Sequence, residues 1–236
     1  MSICLVFAAC TSIGDSPLAG VDSGITTPDA GPTADAGPQS VTLSHSTDPA
    51  TVTAANSIAC VQQQDDGNGN IVPVFHQTNS YYRLFDLLAL GVSRDLAVDQ
   101  VSFGIESADA GAAAEQTIEV HLHTVSGPFQ LANMTAIGSA QVTVANQTET
   151  LIDLPITAVV PANASLAVEL RIPTGDPDRL LFIGSNTNGQ SGPTFLRAPD
   201  CDDDADPMTP TAFLEPVDLG GLFPNMHLLL SVSGIF

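Results

Sequence analysis

The sequence predicts an all-β chain: an antiparallel β-sandwich, jelly-roll-like with about nine strands, that follows a disordered N-terminal linker. Three observations predict it. From Ser57 onward, alternating and β-branched runs recur between turn signals. No stretch carries a convincing amphipathic-helix period. Finally, 44% of the 236 residues are hydrophobic and only 13% are charged. That balance allows one sizeable core under a surface made mostly of Ser, Thr, Asn, Gln and Asp.

The elements follow in chain order. Residues 1–10 contain "CLVFAAC" at 4–10, an apolar run ending in two alanines and a cysteine. It resembles the lipobox of bacterial lipoproteins, and the resemblance implies that the leader is removed and that Cys10 carries the lipid. The run is too short to span a bilayer, and no later run reaches about 20 apolar residues. Residues 11–56 form the expected linker. "DAGP" occurs twice, at 29–32 and 35–38, with no aromatic residue or positive charge between 11 and 40. Such a stretch cannot bury enough apolar area to offset its ordering entropy. Its repeats are similar to the Pro-Asp-Ala-Gly spacers of myxobacterial surface lipoproteins. Within it, "VTLSHSTDPATVTAA" (41–55) could add a loosely attached strand.

Residues 57–236 form the expected sandwich. The predicted strands are "SYYRLFDL" (80–87), "AVDQVSFGIES" (97–107), "TIEVHLHTV" (117–125), "AIGSAQVTVA" (136–145) and "ETLIDLPITAVV" (149–160). They continue with "SLAVELRI" (165–172), "RLLFIGS" (179–185), "TFLRA" (194–198) and "MHLLLSVSG" (226–234). "DAGAAAEQ" (109–116) is too short for a helix and reads as a loop or a single turn. Pro155 inside a strand pattern marks an edge or a bulge. This ordered set of segments, with "LFIGSNTNGQSGPTFLRAPDC" among them, is similar to an accessory β-sandwich domain of secreted bacterial proteins. That resemblance implies an extracytoplasmic location, and with the lipobox resemblance a lipid-anchored address at the outer membrane or cell surface. It brings no catalytic role.

Charge narrows the partners. Twenty-six acidic residues face five basic ones, all arginine, for a net charge of −21. Phosphate backbones and anionic lipid are repelled by such a chain, so no nucleic-acid partner is expected and membrane contact is expected through the lipid alone. With Cys4 and Cys10 assigned to the leader and anchor, Cys60 and Cys201 remain as the pair inside the domain. In an oxidising compartment a disulfide between them is the economical reading, and two free buried thiols are the other. The bridge would close a loop of about 140 residues, for roughly 4–5 kcal/mol.

The bridge would also draw two acidic stretches together, "QQQDDGNGN" (62–70) and "CDDDADP" (201–207). Asp65, Asp66, Asp202, Asp203, Asp204 and Asp206 could then surround a calcium ion, which takes six to eight oxygen ligands. Solvated acidic loops are the alternative, and no other cofactor is indicated. In "TIEVHLHTV" a strand places Glu119, His121 and His123 on one face, expected to be polar and solvated. The amide-rich loop "GSNTNGQSG" (184–192) offers Asn186, Asn188 and Gln190 as groups that could hydrogen-bond a surface glycan or a protein. No HExxH, GxSxG or phosphate-binding loop occurs, so the expectation is not an enzyme. The primary expectation is a non-catalytic surface lipoprotein presenting an interaction or adhesion module. A carbohydrate-binding domain is the alternative, although the chain has no tryptophan and only Tyr81 and Tyr82 as tyrosines.

Overall fold

The computed structural model describes residues 37–201 and 213–236. Cys10 and the segment up to residue 36 lie outside the described residues, as do Asp202, Asp203, Asp204 and Asp206. Fifteen strands, numbered in chain order, run through the described residues. They begin with β1 (Ser40–Ser44), β2 (Val61–Asp65), β3 (Ile71–His76), β4 (Asn79–Asp86) and β5 (Leu96–Asp109). Next come β6 (Glu115–Val125), β7 (Met134–Ala145), β8 (Gln147–Val160), β9 (Ser165–Ile172) and β10 (Leu180–Ile183). The last five are β11 (Ser185–Asn186), β12 (Phe195–Ala198), β13 (Phe213–Asp218), β14 (His227–Leu228) and β15 (Leu230–Ile235).

All nine segments expected from the sequence contain strand, seven as a single strand each and two, 179–185 and 226–234, divided between two strands. They form an antiparallel β-sandwich. One sheet has five strands: β1, β15, β5 and β10 pair in that order, and β8 lines the other side of β5. The second has six, in the order β13-β12-β4-β9-β6-β7. Two ribbons, β2-β3 and β11-β14, complete the body. Pro155 sits on β8, an edge strand, opposite Gln100 beside a register shift, the edge or bulge setting that a strand proline needs. "DAGAAAEQ" becomes a single 3-10 turn, Gly111–Ala113.

Alternation explains the layers. On β6, Ile118, Val120 and Leu122 are fully buried, and on β5 so are Val101, Phe103 and Ile105, each to within 1% exposure. Each such side chain contributes about 1.5–3 kcal/mol of transfer free energy. The segment 226–234 is not one strand but two. Leu229 breaks the run, because its N–H donates to Gly184 O at 3.0 Å while its carbonyl accepts from Gly104 N at 3.1 Å. Gly184 must be glycine at this junction, since a Cβ there would lie 2.7 Å from the Gly104 backbone.

The body starts earlier than the boundary read at residue 57. Its compact unit runs from Gly37 to Phe236. β1 pairs with β15 along its whole length, from Ser40 opposite Ile235 to Ser44 opposite Ser231. Just before it, Gln39 and Phe236 exchange both backbone hydrogen bonds, at 2.8 and 3.0 Å. Leu43 and Val52, buried at 3% and 9% exposure, seat residues 40–56 in the body, which removes this stretch from the linker. Cys60 and Cys201 form a disulfide, with Cα atoms 5.7 Å apart and a sequence separation of 141.

A polar face and a cleft as candidate functional site

The outer face of the six-stranded sheet is a cross-strand network. Register sets Glu119 of β6 opposite Arg171 of β9, and Glu169 of β9 between His121 and Tyr82 of β4. Arg171 Nη1 donates to Glu119 Oε2 at 2.5 Å, and His121 Nε2 lies 3.3 Å from the same oxygen. One strand position on, His123 Nε2 lies 3.2 Å from Glu169 Oε2, while Tyr82 Oη donates to Glu169 Oε1 at 2.9 Å. The face is polar, as its alternation predicts, but part of it is covered. Phe129, from the β6–β7 loop, packs edge-on against Tyr82 and Phe195 with ring centroids 5.6 and 4.7 Å away. Farther along that loop, Leu131 N donates to Glu215 Oε2 at 3.0 Å, which ties the loop across to β13.

The carboxylates respond to this setting. Burial would raise the Glu169 carboxyl, but hydrogen bonds led by His123 outweigh it and hold the group down at about 2. Burial works against Glu119 in the same way, and the Arg171 and His121 bonds pull it below the ordinary carboxylate range. Tyr82 moves upward through burial and the neighbouring Glu169 charge.

Glu119 also lines a cleft of about 330 Å³. Thr117 and Gln141 share this wall, and the opposite side comes from His76, at the end of β3, and from Pro173, Thr174 and Arg179. Gln116, 4% exposed, lines it as well. The loop 173–179 closes round His76. Gly175 N donates to His76 O at 2.8 Å, His76 N donates to Arg179 O at 3.0 Å, and His76 Nε2 lies 2.9 Å from Pro173 O. A carbonyl only accepts, so Nε2 carries the proton. Burial lowers the His76 pKa, the ring is neutral, and Nδ1 is an acceptor. That Nδ1 is buried with no partner, as is Gln116 Oε1, whose amide nitrogen donates to Leu180 O at 3.0 Å.

The residues proposed from sequence as ligand-binding are engaged internally instead. Asn186 is fully buried, and its Nδ2 donates to Asp48 O at 2.7 Å and Thr51 O at 3.1 Å. Asn188 Nδ2 donates to Asp48 Oδ2 at 3.1 Å, and Gln190 Oε1 accepts from Arg83 Nη1 at 2.7 Å. The amide-rich loop therefore binds the chain's own residues 45–51. His45 completes the contact by stacking on Phe85 at 4.8 Å.

Asp65 and Asp66 occupy the tip of the β2-β3 hairpin. Asp65 Oδ1 accepts from Gly67 N at 2.7 Å, and Asp66 Oδ1 accepts from Asn68 N at 2.8 Å. Strand β2 carries them about 16 Å away from Cys60, so the bridge does not hold them beside Cys201. Among the described residues no group of three or more His, Cys, Asp or Glu side chains is placed to hold a metal.

Sequence reasoning missed the cleft and Arg83. The cleft's walls come from β3, β6, β7 and the 173–179 loop, and no local spacing announces them.

No protein-family model matches the chain, and no curated protein matches it. Among solved structures, the cysteine protease and lectin-like domains of a surface layer associated protein of Clostridium difficile are similar at a TM-score of 0.46. Identity there is 15%, over 68% of this chain and 32% of that one. A structure of infectious bursal disease virus, Gx strain, is similar at a TM-score of 0.26 and 9% identity, over 84% of this chain and 36% of that one. The chain thus spans about a third of the length of each. The fold rests on the strand pairings above, and neither likeness bears on ligand or activity.

Proposed function

We propose that the protein is a non-catalytic surface lipoprotein of the bacterial, myxobacterial-like kind, which presents its β-sandwich as an interaction module. The observation that carries the reading is the polar cleft on a disulfide-closed body. The cleft supplies a concave surface of about 330 Å³, at the small end of ligand pockets. Export is supported by the Cys60–Cys201 bridge, since such bonds persist in oxidising compartments. The absence of catalysis is part of the proposal because the cleft's histidine is buried and neutral, with Nε2 directed at a backbone carbonyl. The anchor is the lipid on Cys10, and the partner is a surface glycan or protein. A carbohydrate ligand is the second reading, favoured by the hydroxyls and amides of the cleft.

Intact-mass measurement on protein extracted from membranes of the native host tests this. The expected mass is that of a chain beginning at Cys10, with a diacyl addition and two hydrogens fewer than the dithiol form. A chain without lipid sinks the anchoring half, and free thiols sink the export argument.

A further inference from the structure

We infer that the cleft between His76 and Glu119 takes a neutral, polyhydroxylated group, one hexose-type sugar ring held by hydrogen bonds. The inference rests on the reading of the body as a binding module and names the class of its ligand.

Charge is the first ground. Glu119 is held ionised by Arg171 and His121, and Arg179, whose guanidinium donates to carbonyls of its own 174–176 loop, lines the same cleft. An anion drawn to Arg179 meets Glu119 and a chain of net charge −21. A cation drawn to Glu119 finds that carboxylate already bonded to Arg171 at 2.5 Å, with Arg179 nearby. A neutral ligand meets neither opposition.

Hydrogen-bonding capacity is the second. Thr117 and Gln141 bring a hydroxyl and an amide to the wall, groups that both donate and accept, while the Thr174 hydroxyl beside them is already bonded to His76 O at 3.4 Å and Asp176 N at 3.3 Å. Gln116 Oε1 and His76 Nδ1 are sealed from the cleft, the His76 ring edge packing against Gly175, so the binding groups are those on the open wall. Covering polar wall groups without replacing their water hydrogen bonds is unfavourable, so a ligand rich in hydroxyls gains where an apolar one does not. A sugar hydroxyl donates and accepts at one atom. Paired hydroxyls also suit the planar amide, carboxylate and guanidinium groups gathered here.

Size and lining set the limits. A cleft of about 330 Å³ holds a single ring and not an extended chain. Apart from the His76 imidazole its lining has no aromatic ring to stack on, so affinity comes from hydrogen bonds alone and is expected near a millimolar Kd.

The test is an NMR titration of the full-length, disulfide-intact protein with glucose, galactose, mannose and their methyl glycosides. Phosphate, tetramethylammonium and glycine betaine serve as anionic, cationic and zwitterionic controls. The expected result is saturable shifts of the Thr117, Gln141, Thr174 and Arg179 amides with at least one sugar and with none of the controls. Thr117→Val and Gln141→Ala, at half-buried and exposed positions, should each weaken binding at least fivefold without moving the unfolding midpoint. No saturable shift with any sugar, or shifts given by a control alone, overturns the inference and leaves the intact-mass result standing. Conversion of a methyl glycoside to free sugar and methanol would keep the sugar site and overturn the non-catalytic reading.

Discussion

Arg83 is a cation buried without a carboxylate partner among the described residues. It is fully buried and donates from Nη1 to Gln190 Oε1 and Gly192 O, both at 2.7 Å, and from Nη2 to Leu228 O at 2.8 Å. Burial lowers its pKa to about 10, which leaves it charged at neutral pH. Three acceptors, two from the 190–192 loop and one from β14, thus converge on one guanidinium. Arg83→Met should lower unfolding free energy by on the order of 3 kcal/mol, because the acceptors stay buried and lose their donor. A urea titration with an unchanged midpoint would refute this. Glu169 governs the acid limb of stability. Its folded pKa of about 2 lies below its ordinary 4.5, so the unfolded chain holds more protons between those values. The stabilisation, roughly 3 kcal/mol at most, is complete above pH 4.5 and disappears as pH falls towards 2. His76 adds an earlier loss, since its buried neutral ring gives way to a protonated unfolded form below its ordinary 6.5. Glu169→Gln should flatten the lower limb and keep the upper one, as read by unfolding midpoints across pH. Identical profiles for variant and wild type would remove Glu169 from this role.

Among the elements, β1 is the one whose importance the residues conceal. Its segment, "SVTLS", follows a linker-like composition and carries little apolar weight. The structure nonetheless pairs it with β15 and buries Leu43 and Val52 behind it. A chain beginning at Ser57 should therefore be less stable than one beginning at Gly37 by roughly 3–6 kcal/mol from those two side chains alone. Equal thermal midpoints would show that the segment is dispensable. The same element marks how far the chain could be read directly. The long strands β5, β6 and β8 were legible because alternation records one buried face, and β9, buried on both faces, because its run is nearly continuous in apolar residues. The β2-β3 ribbon was not, because "VQQQD" is exposed beyond its first residue and Pro73 interrupts β3. Asn186, Asn188 and Gln190 looked like free recognition groups because their partners, Asp48, Thr51 and Arg83, lie more than 100 residues upstream. The cleft was hidden for a related reason. Its lining residues are ordinary one at a time and become a site only through cross-strand register.

At the scale of the whole molecule, the disulfide ties the start of β2 to the chain beyond β12. Removing it, by Cys60→Ser with Cys201→Ser or by reduction, should cost about 4–5 kcal/mol of stability. The check is a denaturant midpoint that falls well below that of the bridged form. Coincident curves would mean that packing alone specifies the sandwich. The mutual pairing of Gln39 and Phe236 has a mechanical corollary. Residues 39 and 236 lie side by side, so tension applied between them would peel β1 from β15 bond by bond, a soft opening mode. Past that first yield, the sulfur crosslink would withhold the slack of its 141-residue loop, about 480 Å of contour. A tethered molecule built this way would give early under load and then stop short.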